Sequence, residues 1–207
     1  MVPASFRFLV LGAGGHARPV IEALHAAGHQ VAGLLDDAPG GAVLGHPRLG
    51  TLADLDRLAG KGFAVVVAIG ANGLRALLGA RCVALGLPLP PVVHPSALLS
   101  PSATLSDGAQ VMARAVVGPG AIIGPLALVN TGAIVEHDCA IGAAAHLGPG
   151  AVLCGGVRVG AEALVGAGAV VRPGTVIGAG AVIAPGAAVA EDVADGARMG
   201  GVPARPL

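Results

Sequence analysis

Residues 92–193 decide the fold: VVHPSA LLSPSA TLSDGA QVMARA VVGPGA IIGPLA LVNTGA IVEHDC AIGAAA HLGPGA VLCGGV RVGAEA LVGAGA VVRPGT VIGAGA VIAPGA AVAEDV. They form 17 hexapeptides in unbroken register. The second position is Val, Ile or Leu in all 17, from Val93 to Val189, and the sixth is always small, with Ala in 13. A period of six matches neither a 3.6-residue helix nor a two-residue strand alternation. It is typical of a solenoid in which each hexapeptide forms one short face.

The side-chain pattern explains how such a solenoid closes. The branched residue at the second position points inward, and so does the small residue two places before it. Three hexapeptides make one triangular coil. The third position, which is Gly in seven hexapeptides, is placed at a corner, where positive φ is easiest for Gly and tolerable for Asn or Asp. Residues 88–207 are therefore predicted to form an all-β parallel β-helix.

The composition agrees with a repetitive fold and limits the functional classes. The 207 residues include 35 Gly and 16 Pro but only three Phe, with no Trp or Tyr, so an aromatic globular core is excluded. Formal net charge is zero and no basic run occurs, so we expect no nucleic-acid partner. The three cysteines lack metal-site spacing, which favours reduced thiols in a cytoplasmic protein. No signal peptide and no membrane insertion are expected.

Residues 1–87 do not follow the hexapeptide pattern. Buried strands are predicted at residues 6–11, 30–35 and 63–69, and helices at 17–27, 51–58 and 72–85. Strands alternating with helices indicate a small Rossmann-like parallel α/β unit. Pro88, Pro90 and Pro91 mark the linker into the solenoid.

The turn after the first strand resembles a dinucleotide-binding fingerprint. Gly12-x-Gly14-x-x-Ala17 is followed by Asp36 about twenty residues later. Three interpretations stay open: NAD with Asp36 on a ribose, a nucleotide-sugar in the same crevice, or glycines that only permit a tight turn. Three strands are about half of a full dinucleotide fold, which argues against NAD.

Most solenoid positions are Gly, Ala, Val or Pro, but chemically reactive side chains occur at two places. Glu136, His137 and Asp138 are consecutive, with His137 on the outside of a corner. A neighbouring carboxylate can fix the tautomer of a histidine and raise its basicity, as a general base requires. His146 follows nine residues later, half a coil around, and Asn130 lies in the corner column. The plain alternatives are a solvated surface histidine at either site and a positive-φ turn residue at Asn130.

The order of motifs resembles a known family. A strand, GAGGH, LDD, AIGAN with Arg75, PVVHPSA, NTGAIVEHDCAIGAAAHLGPGA and a final GVPAR are similar to the sugar O-acyltransferases of the sialic acid O-acetyltransferase (NeuD) type. That family includes PglD-like nucleotide-sugar N-acetyltransferases of the hexapeptide-repeat superfamily. The resemblance covers nearly the whole chain and implies a left-handed β-helix and a trimer with active sites between neighbouring solenoids.

The resemblance also implies roles for individual residues. His137 is the base and Asp138 the acid that supports it. His146 contacts acetyl-CoA, whose pantetheine runs near Gly155, Ala167 and Pro185. The nucleotide-sugar is held by the substrate-binding set, which comprises Gly14, Gly15, His16, Asp36, Asp37, Gly70, Asn72 and Asn130.

We therefore predict an acetyl-CoA-dependent N-acetyltransferase that acts on a UDP- or GDP-linked 4-amino sugar by direct transfer, without a metal. The same residues leave O-acetylation of a sugar such as sialic acid open. A γ-class carbonic anhydrase would need three zinc-binding histidines, two of them five residues apart, whereas His137 and His146 are nine apart and no other solenoid pair fits. A non-catalytic solenoid would not explain the Glu-His-Asp cluster.

Overall fold

The N-terminal part of the chain is a four-stranded parallel α/β unit. The computed structural model describes residues 5–207. The strands are β1 (Arg7–Leu11), β2 (Gln30–Leu35), β3 (Arg48–Gly50) and β4 (Ala64–Val67), and the helices are α1 (Ala17–Ala26), α2 (Leu55–Leu58) and α3 (Asn72–Ala84). The sheet order is β3-β2-β1-β4, all parallel. The predicted count of three strands is wrong, because β3 adds a fourth at the edge.

Local sequence signals explain the helix positions. A single 3₁₀ turn, Leu52–Asp54, precedes α2, and Thr51 and Asp54 cap it reciprocally through side chain and backbone. Helix α1 buries Val20, Ile21 and Leu24 against the sheet. This spacing of three and four residues is the apolar stripe of an amphipathic helix.

The C-terminal part is a triangular parallel β-helix with one two-residue strand per hexapeptide. The first face consists of Val92–Val93, Gln110–Val111, Leu128–Val129, His146–Leu147, Leu164–Val165 and Val182–Ile183. The second face consists of Leu98–Leu99, Val116–Val117, Ile134–Val135, Val152–Leu153, Val170–Val171 and Ala188–Val189. The third face consists of Thr104–Leu105, Ile122–Ile123, Ala140–Ile141, Arg158–Val159 and Val176–Ile177. The four residues after each face form the first, second and third corners, for example 130–133, 136–139 and 142–145.

The inward columns form the core of the prism as predicted. Second-position residues such as Val129 and Ile183 and sixth-position residues such as Ala133 are fully buried and pack together. The expected place of the positive φ is wrong. It falls on the fifth position, at 14 consecutive hexapeptides from Gly108 to Gly186, and Asn130 is not among these residues.

The third-position glycines have another physical cause, which is the close approach of the next coil. A Cβ on Gly118 would lie 2.9 Å from the backbone of Glu136 and His137. Because real Cβ atoms essentially never come that close, a side chain at 118 would push the coil that carries His137 away.

The α/β unit docks on the first face of the prism. Val92, Met112 and Leu128 of the solenoid are buried against a cluster that includes Phe8 and Val10 of β1. The last coil is closed by Arg198–Gly200, which pairs in parallel with Val182–Ile183 and antiparallel with Arg205–Pro206. The carboxyl ends of the parallel strands and the first face of the solenoid therefore lie side by side.

Candidate functional site

His137 and Asp138 form an exposed pair on the second corner. The Nδ1 atom of His137 lies 2.9 Å from Oδ2 of Asp138, with the side chains 60% and 75% exposed. The histidine therefore donates Nδ1–H to the carboxylate and keeps the lone pair of Nε2 for an incoming proton. No ion pair within residues 5–207 joins Glu136 to His137.

The backbone around this pair leaves room for the ring. A side chain on Gly155, one coil further on, would collide with the imidazole of His137. Asp138 has φ 59°, a left-handed conformation that Asp tolerates better than most residues. The structure therefore places Gly155, predicted on the cofactor side, directly beside Nε2 of the candidate base.

His146 lies on the first face, under the α/β unit. Its Nε2 atom accepts a hydrogen bond from Nδ2 of Asn130 at 3.1 Å, because Oδ1 of Asn130 already accepts Thr131 N–H at 2.8 Å. Burial, with smaller effects of the Arg75 and His16 charges, lowers the pKa of His146 to about 4, while the backbone of Gly70 opposes that shift. His146 is therefore neutral at physiological pH and half-buried.

His16 reaches the same region from the α/β side. Its Nε2 atom lies 3.1 Å from Oε1 of Gln110, and Nε2 of Gln110 donates to the carbonyl of Val67 at 2.9 Å. Burial is the main cause that lowers the pKa of His16, with a hydrogen bond to Gln110 opposing it and Arg75 adding to it. His16, His146 and Asn130, predicted from separate motifs, are thus brought to one interface.

Arg75 fixes the loop after β4 to the solenoid. Its fully buried guanidinium donates to the carbonyls of Leu126, Ile69, Gly70 and Ala144 at 2.7–3.0 Å. Burial lowers the pKa of Arg75 to about 10, a value at which the group stays charged at neutral pH.

Asn72 takes part in the same fixation. Its Oδ1 accepts from Nη2 of Arg75 at 2.9 Å, and its Nδ2 donates to the carbonyl of Glu162 at 2.8 Å. Both ends of the Asn72 amide therefore contact protein groups, although the residue was predicted to contact substrate.

The glycines of the first turn divide into two kinds. Gly12 has φ 105°, and a Cβ there would lie 2.8 Å from the carbonyl oxygen of Ala68, so the turn requires glycine. An added Cβ on Gly14 or Gly15 meets nothing within 4 Å. Neither a close approach of other atoms nor positive φ therefore accounts for glycine at these two positions, and the space beside them is open.

Asp36 and Asp37 lie beside that turn. The two oxygens of Asp36 accept Ala13 N–H at 2.5 Å and Ala38 N–H at 2.7 Å, and Asp37 accepts Leu52 N–H at 2.9 Å. They line an open cleft of about 580 Å³ at the end of β2. This volume is within the usual range for a small-molecule site.

The predicted site residues fall into two separate regions of one chain. His137, Asp138 and Gly155 lie on the second corner, which faces away from the first face and the α/β unit. Asn130, Ala167 and Pro185 lie on the first corner, His146 lies on the first face, and Asn72 contacts the backbone of Glu162 and Ala163 on the third corner. A single chain therefore does not bring the candidate base next to the candidate substrate pocket.

Two contributors were missed from the sequence. Gln110 was not singled out, although it is a polar residue in an otherwise mainly aliphatic first-position column on the first face. Arg75 was noted only within the AIGAN motif. Its burial depends on contacts to Leu126 and Ala144, far along the chain, which no local pattern reveals.

Family models match both parts of the chain. The "PglD N-terminal domain" matches residues 7–81, and "Bacterial transferase hexapeptide (six repeats)" matches residues 156–191. These matches define the class, a hexapeptide-repeat transferase with a PglD-type N-terminal unit. A comparison with curated proteins gives no significant match.

Solved structures define the family more closely. A histidine variant of perosamine N-acetyltransferase from Caulobacter crescentus, in complex with CoA and GDP-perosamine, is 44% identical, with 99% of each chain covered and a TM-score of 0.95. The acetyltransferase domain of PglB from Neisseria gonorrhoeae, in complex with acetyl coenzyme A, is 40% identical, with 99% of this chain and 100% of that one covered and a TM-score of 0.95. WeeI from Acinetobacter baumannii is 25% identical over 97% of this chain, with a TM-score of 0.89.

The chain belongs to the PglD-like nucleotide-sugar N-acetyltransferases of the hexapeptide-repeat superfamily. The predicted family and fold class, a small α/β unit followed by a left-handed parallel β-helix, are confirmed. Across residues 5–207, no helix is long and apolar enough to cross a membrane, and no group of three or more His, Cys, Asp or Glu side chains is placed to hold a metal ion.

Proposed function

We propose that the protein transfers the acetyl group of acetyl-CoA to the amino group of a nucleotide-linked 4-amino sugar. The observation that carries this proposal is the 44% identity over 99% of the chain to a perosamine N-acetyltransferase that was solved with CoA and GDP-perosamine. The exposed His137–Asp138 pair supplies the general base that such a transfer needs. O-acetylation of a sugar remains the second candidate, because the same base also serves a hydroxyl.

We assign nucleotide-sugar binding to residues 1–87 and acetyl transfer to residues 88–207. The diphosphate is placed at the start of α1, beside Gly14 and Gly15. The first turn of α1 contains no acidic side chain. The first turn of α3 already faces a carboxylate, because a Cβ on Gly73 would lie 3.3 Å from Oε2 of Glu162. Helix N-termini attract anions, and the N-terminus of α1 has no carboxylate of its own, so we assign the diphosphate to it. The cleft at Asp36 and Asp37 adjoins this position.

His137 performs the proton transfer. Asp138 holds its Nδ1–H, so the lone pair of Nε2 accepts the proton that the amine loses as its nitrogen bonds to the acetyl carbon. The carbon–sulfur bond breaks, and Nε2 returns the proton to the departing thiolate of CoA. Gly155 leaves space beside Nε2 for the reacting groups. Backbone N–H groups at the corner are suited to stabilise the oxyanion.

We further propose a three-fold homotrimer with parallel prism axes. The outward first-position column of the second face is entirely aliphatic: Leu98, Val116, Ile134, Val152, Val170 and Ala188. Such a continuous apolar surface is typical of an interface. If this face points to the three-fold axis, the second corner of one copy meets the first corner of the next. His137 and Gly155 of one copy then face Asn130, Ala167 and Pro185 of its neighbour, and acetyl-CoA lies between them.

The direct test is acetyl transfer by the purified protein. Release of free CoA thiol should accompany a mass gain of one acetyl group on UDP- or GDP-linked 4-amino sugars. The matched 4-hydroxy sugars serve as controls. Activity on the hydroxy sugars alone would show that the protein is an O-acetyltransferase. If neither set of sugars gives thiol release, the assignment as an acetyltransferase is wrong.

Mixing two inactive variants tests the shared site. His137→Ala removes the base, and Gly14→Leu fills open space at the substrate turn. A shared site needs an intact His137 from one copy and an intact Gly14 from its neighbour. In trimers refolded from a 1:1 mixture each condition is met at about one half of the interfaces, so about one quarter of wild-type activity should return. No recovery would show that both residues serve a site within one chain.

A further inference from the structure

Gln110 is a fully buried amide at the junction of the two units. It occupies the outward first position of the first face, one coil before Leu128, and is 0% exposed. A buried amide needs hydrogen-bond partners, and both partners of Gln110 belong to the α/β unit. They are the carbonyl of Val67, at the end of β4, and Nε2 of His16.

These two contacts fix the position of a proton on His16. The carbonyl of Val67 only accepts hydrogen bonds, so the NH₂ group of Gln110 faces it and Oε1 faces His16. Because an amide oxygen also only accepts, Nε2 of His16 must carry the proton. The network therefore assigns the Nε2–H tautomer, and in the neutral ring Nδ1 keeps its lone pair.

Nδ1 of His16 is open to a ligand. Within residues 5–207 it has no hydrogen-bond partner, and the one buried polar side-chain atom without a partner there is Nε of Arg48, so Nδ1 is reached by solvent. His16 directly follows Gly14 and Gly15, where an added Cβ meets open space. The free acceptor thus lies at the mouth of the turn assigned to the nucleotide-sugar.

We infer that Gln110 is a positioning residue for sugar binding: it holds His16 as the Nε2–H tautomer and so presents Nδ1 as an acceptor for an N–H or O–H group of the nucleotide-linked amino sugar. This inference rests on the proposed function. Arg75 and His146 are the other titratable groups that act on His16 or lie near it. Within residues 5–207, neither Arg75 nor His146 forms a hydrogen bond with the His16 ring, whereas Gln110 does. The orientation of the ring therefore depends on Gln110.

The tautomer is measured directly in the unliganded protein. Two-bond ¹H–¹⁵N spectra of histidine-labelled wild type at neutral pH should show His16 as a single Nε2–H form. In Gln110→Met, which keeps the length of the side chain but removes the amide, that form should give way to a mixture. Leu128→Met is the matched control, because Leu128 is equally buried in the same column. An Nδ1–H or charged ring in the wild type would overturn the inference without any variant.

Kinetics separate positioning from mere packing. Gln110→Met should raise KM for the amino sugar by about threefold to tenfold, the equivalent of roughly one neutral hydrogen bond. KM for acetyl-CoA should change by less than about twofold, and Leu128→Met should change neither constant. An unchanged tautomer and sugar KM in a folded Gln110→Met would refute the assignment. If no amino sugar is acetylated, the proposed function fails, whereas the tautomer measurement still stands or falls independently.

Discussion

At the residue scale, the proposed mechanism depends on the orientation of the His137 imidazole. His137 is exposed, yet its ring is held by Asp138 at 2.9 Å. Asp138 can make this contact because the coil keeps it at φ 59° and binds its N–H to the carbonyl of Pro119 at 2.9 Å. The proposed base is therefore oriented by Asp138 before any substrate binds, which reduces the entropy that the reaction must lose.

Removing the ring should lower turnover without unfolding the protein. His137→Ala is expected to reduce kcat by about 10²–10⁴-fold, the usual contribution of a general base, because the side chain is 60% exposed and supports no core contact. Steady-state assays with saturating substrates check this, and circular dichroism checks the fold. His25→Ala, an exposed histidine at the end of α1, should retain wild-type kcat. Equal kcat in the two variants would exclude His137 as the base.

The carboxylate is tested separately. Asp138→Asn keeps an acceptor oxygen for Nδ1–H and a residue type that tolerates positive φ, so it removes charge with little change in geometry. We expect a loss of kcat in the same direction but smaller than that of His137→Ala. A loss as large as that of the histidine variant would mean that Asp138 does more than orient the ring.

At the scale of elements, the hexapeptides were predictable and the junction was not. Each coil repeats a local pattern, so every two-residue strand within the hexapeptides could be placed from the apolar second position alone. Strand β3 was missed because Arg48, Leu49 and Gly50 are too few to show alternation. The fifth-position turns were misplaced because residues as different as Leu126 and Glu162 adopt the same positive φ as glycine.

The site was only partly predictable for a related reason. His16, Asn130, His137 and His146 stand out because reactive side chains are rare in this composition. The grouping of His16, Asn130 and His146 depends on contacts between distant residues, such as His16 with Gln110, which are 94 positions apart. Hydrophobic periodicity carries no information on such pairs.

The junction should make stability depend on pH. His146 has its pKa lowered from 6.5 to about 4, so below pH 6.5 the unfolded chain binds a proton that the folded chain does not. Stability should therefore fall as pH decreases from 6.5 to about 4 and be unaffected by this group above that window. The burial of His16 acts in the same direction.

Urea unfolding at fixed protein concentration between pH 7.5 and 4.5 measures this effect. His146→Gln, which does not titrate but can still accept from Asn130, should show a shallower loss of unfolding free energy. The difference in slope is at most about 1.4 kcal/mol per pH unit for one group. Parallel curves for the variant and wild type would contradict the assigned shift.

At the scale of the whole molecule, the apolar second face predicts the assembly. Val170 on the second face is 45% exposed and Val176 on the third face is 41% exposed, and both occupy the first position of their hexapeptides. The third-face column is interrupted by Thr104 and Arg158, whereas the second-face column is wholly aliphatic. We therefore expect Val170→Glu to dissociate the trimer and Val176→Glu to leave it intact.

Light scattering at micromolar concentration distinguishes the two variants by mass. In a trimer, Val170→Glu would bury three carboxylates around the three-fold axis at a large cost in free energy, whereas Val176→Glu would leave its carboxylates in solvent. A monomeric wild type would refute the trimer, and dissociation by Val176→Glu alone would place the axis on the other face.

The way the last coil closes has a consequence for the behaviour of the protein in concentrated solution. A stack of parallel strands ends in a row of free backbone groups, which is a template on which another molecule can add strands and grow a fibre. Here Ala188 is already bonded to Gly201 and Ala204, and Val193 covers the third face. The first face ends in a strand that runs the opposite way and contains Pro206, which has no N–H to offer. The backbone groups at this end of the prism are thus already paired, and we expect them not to template the addition of strands from another molecule.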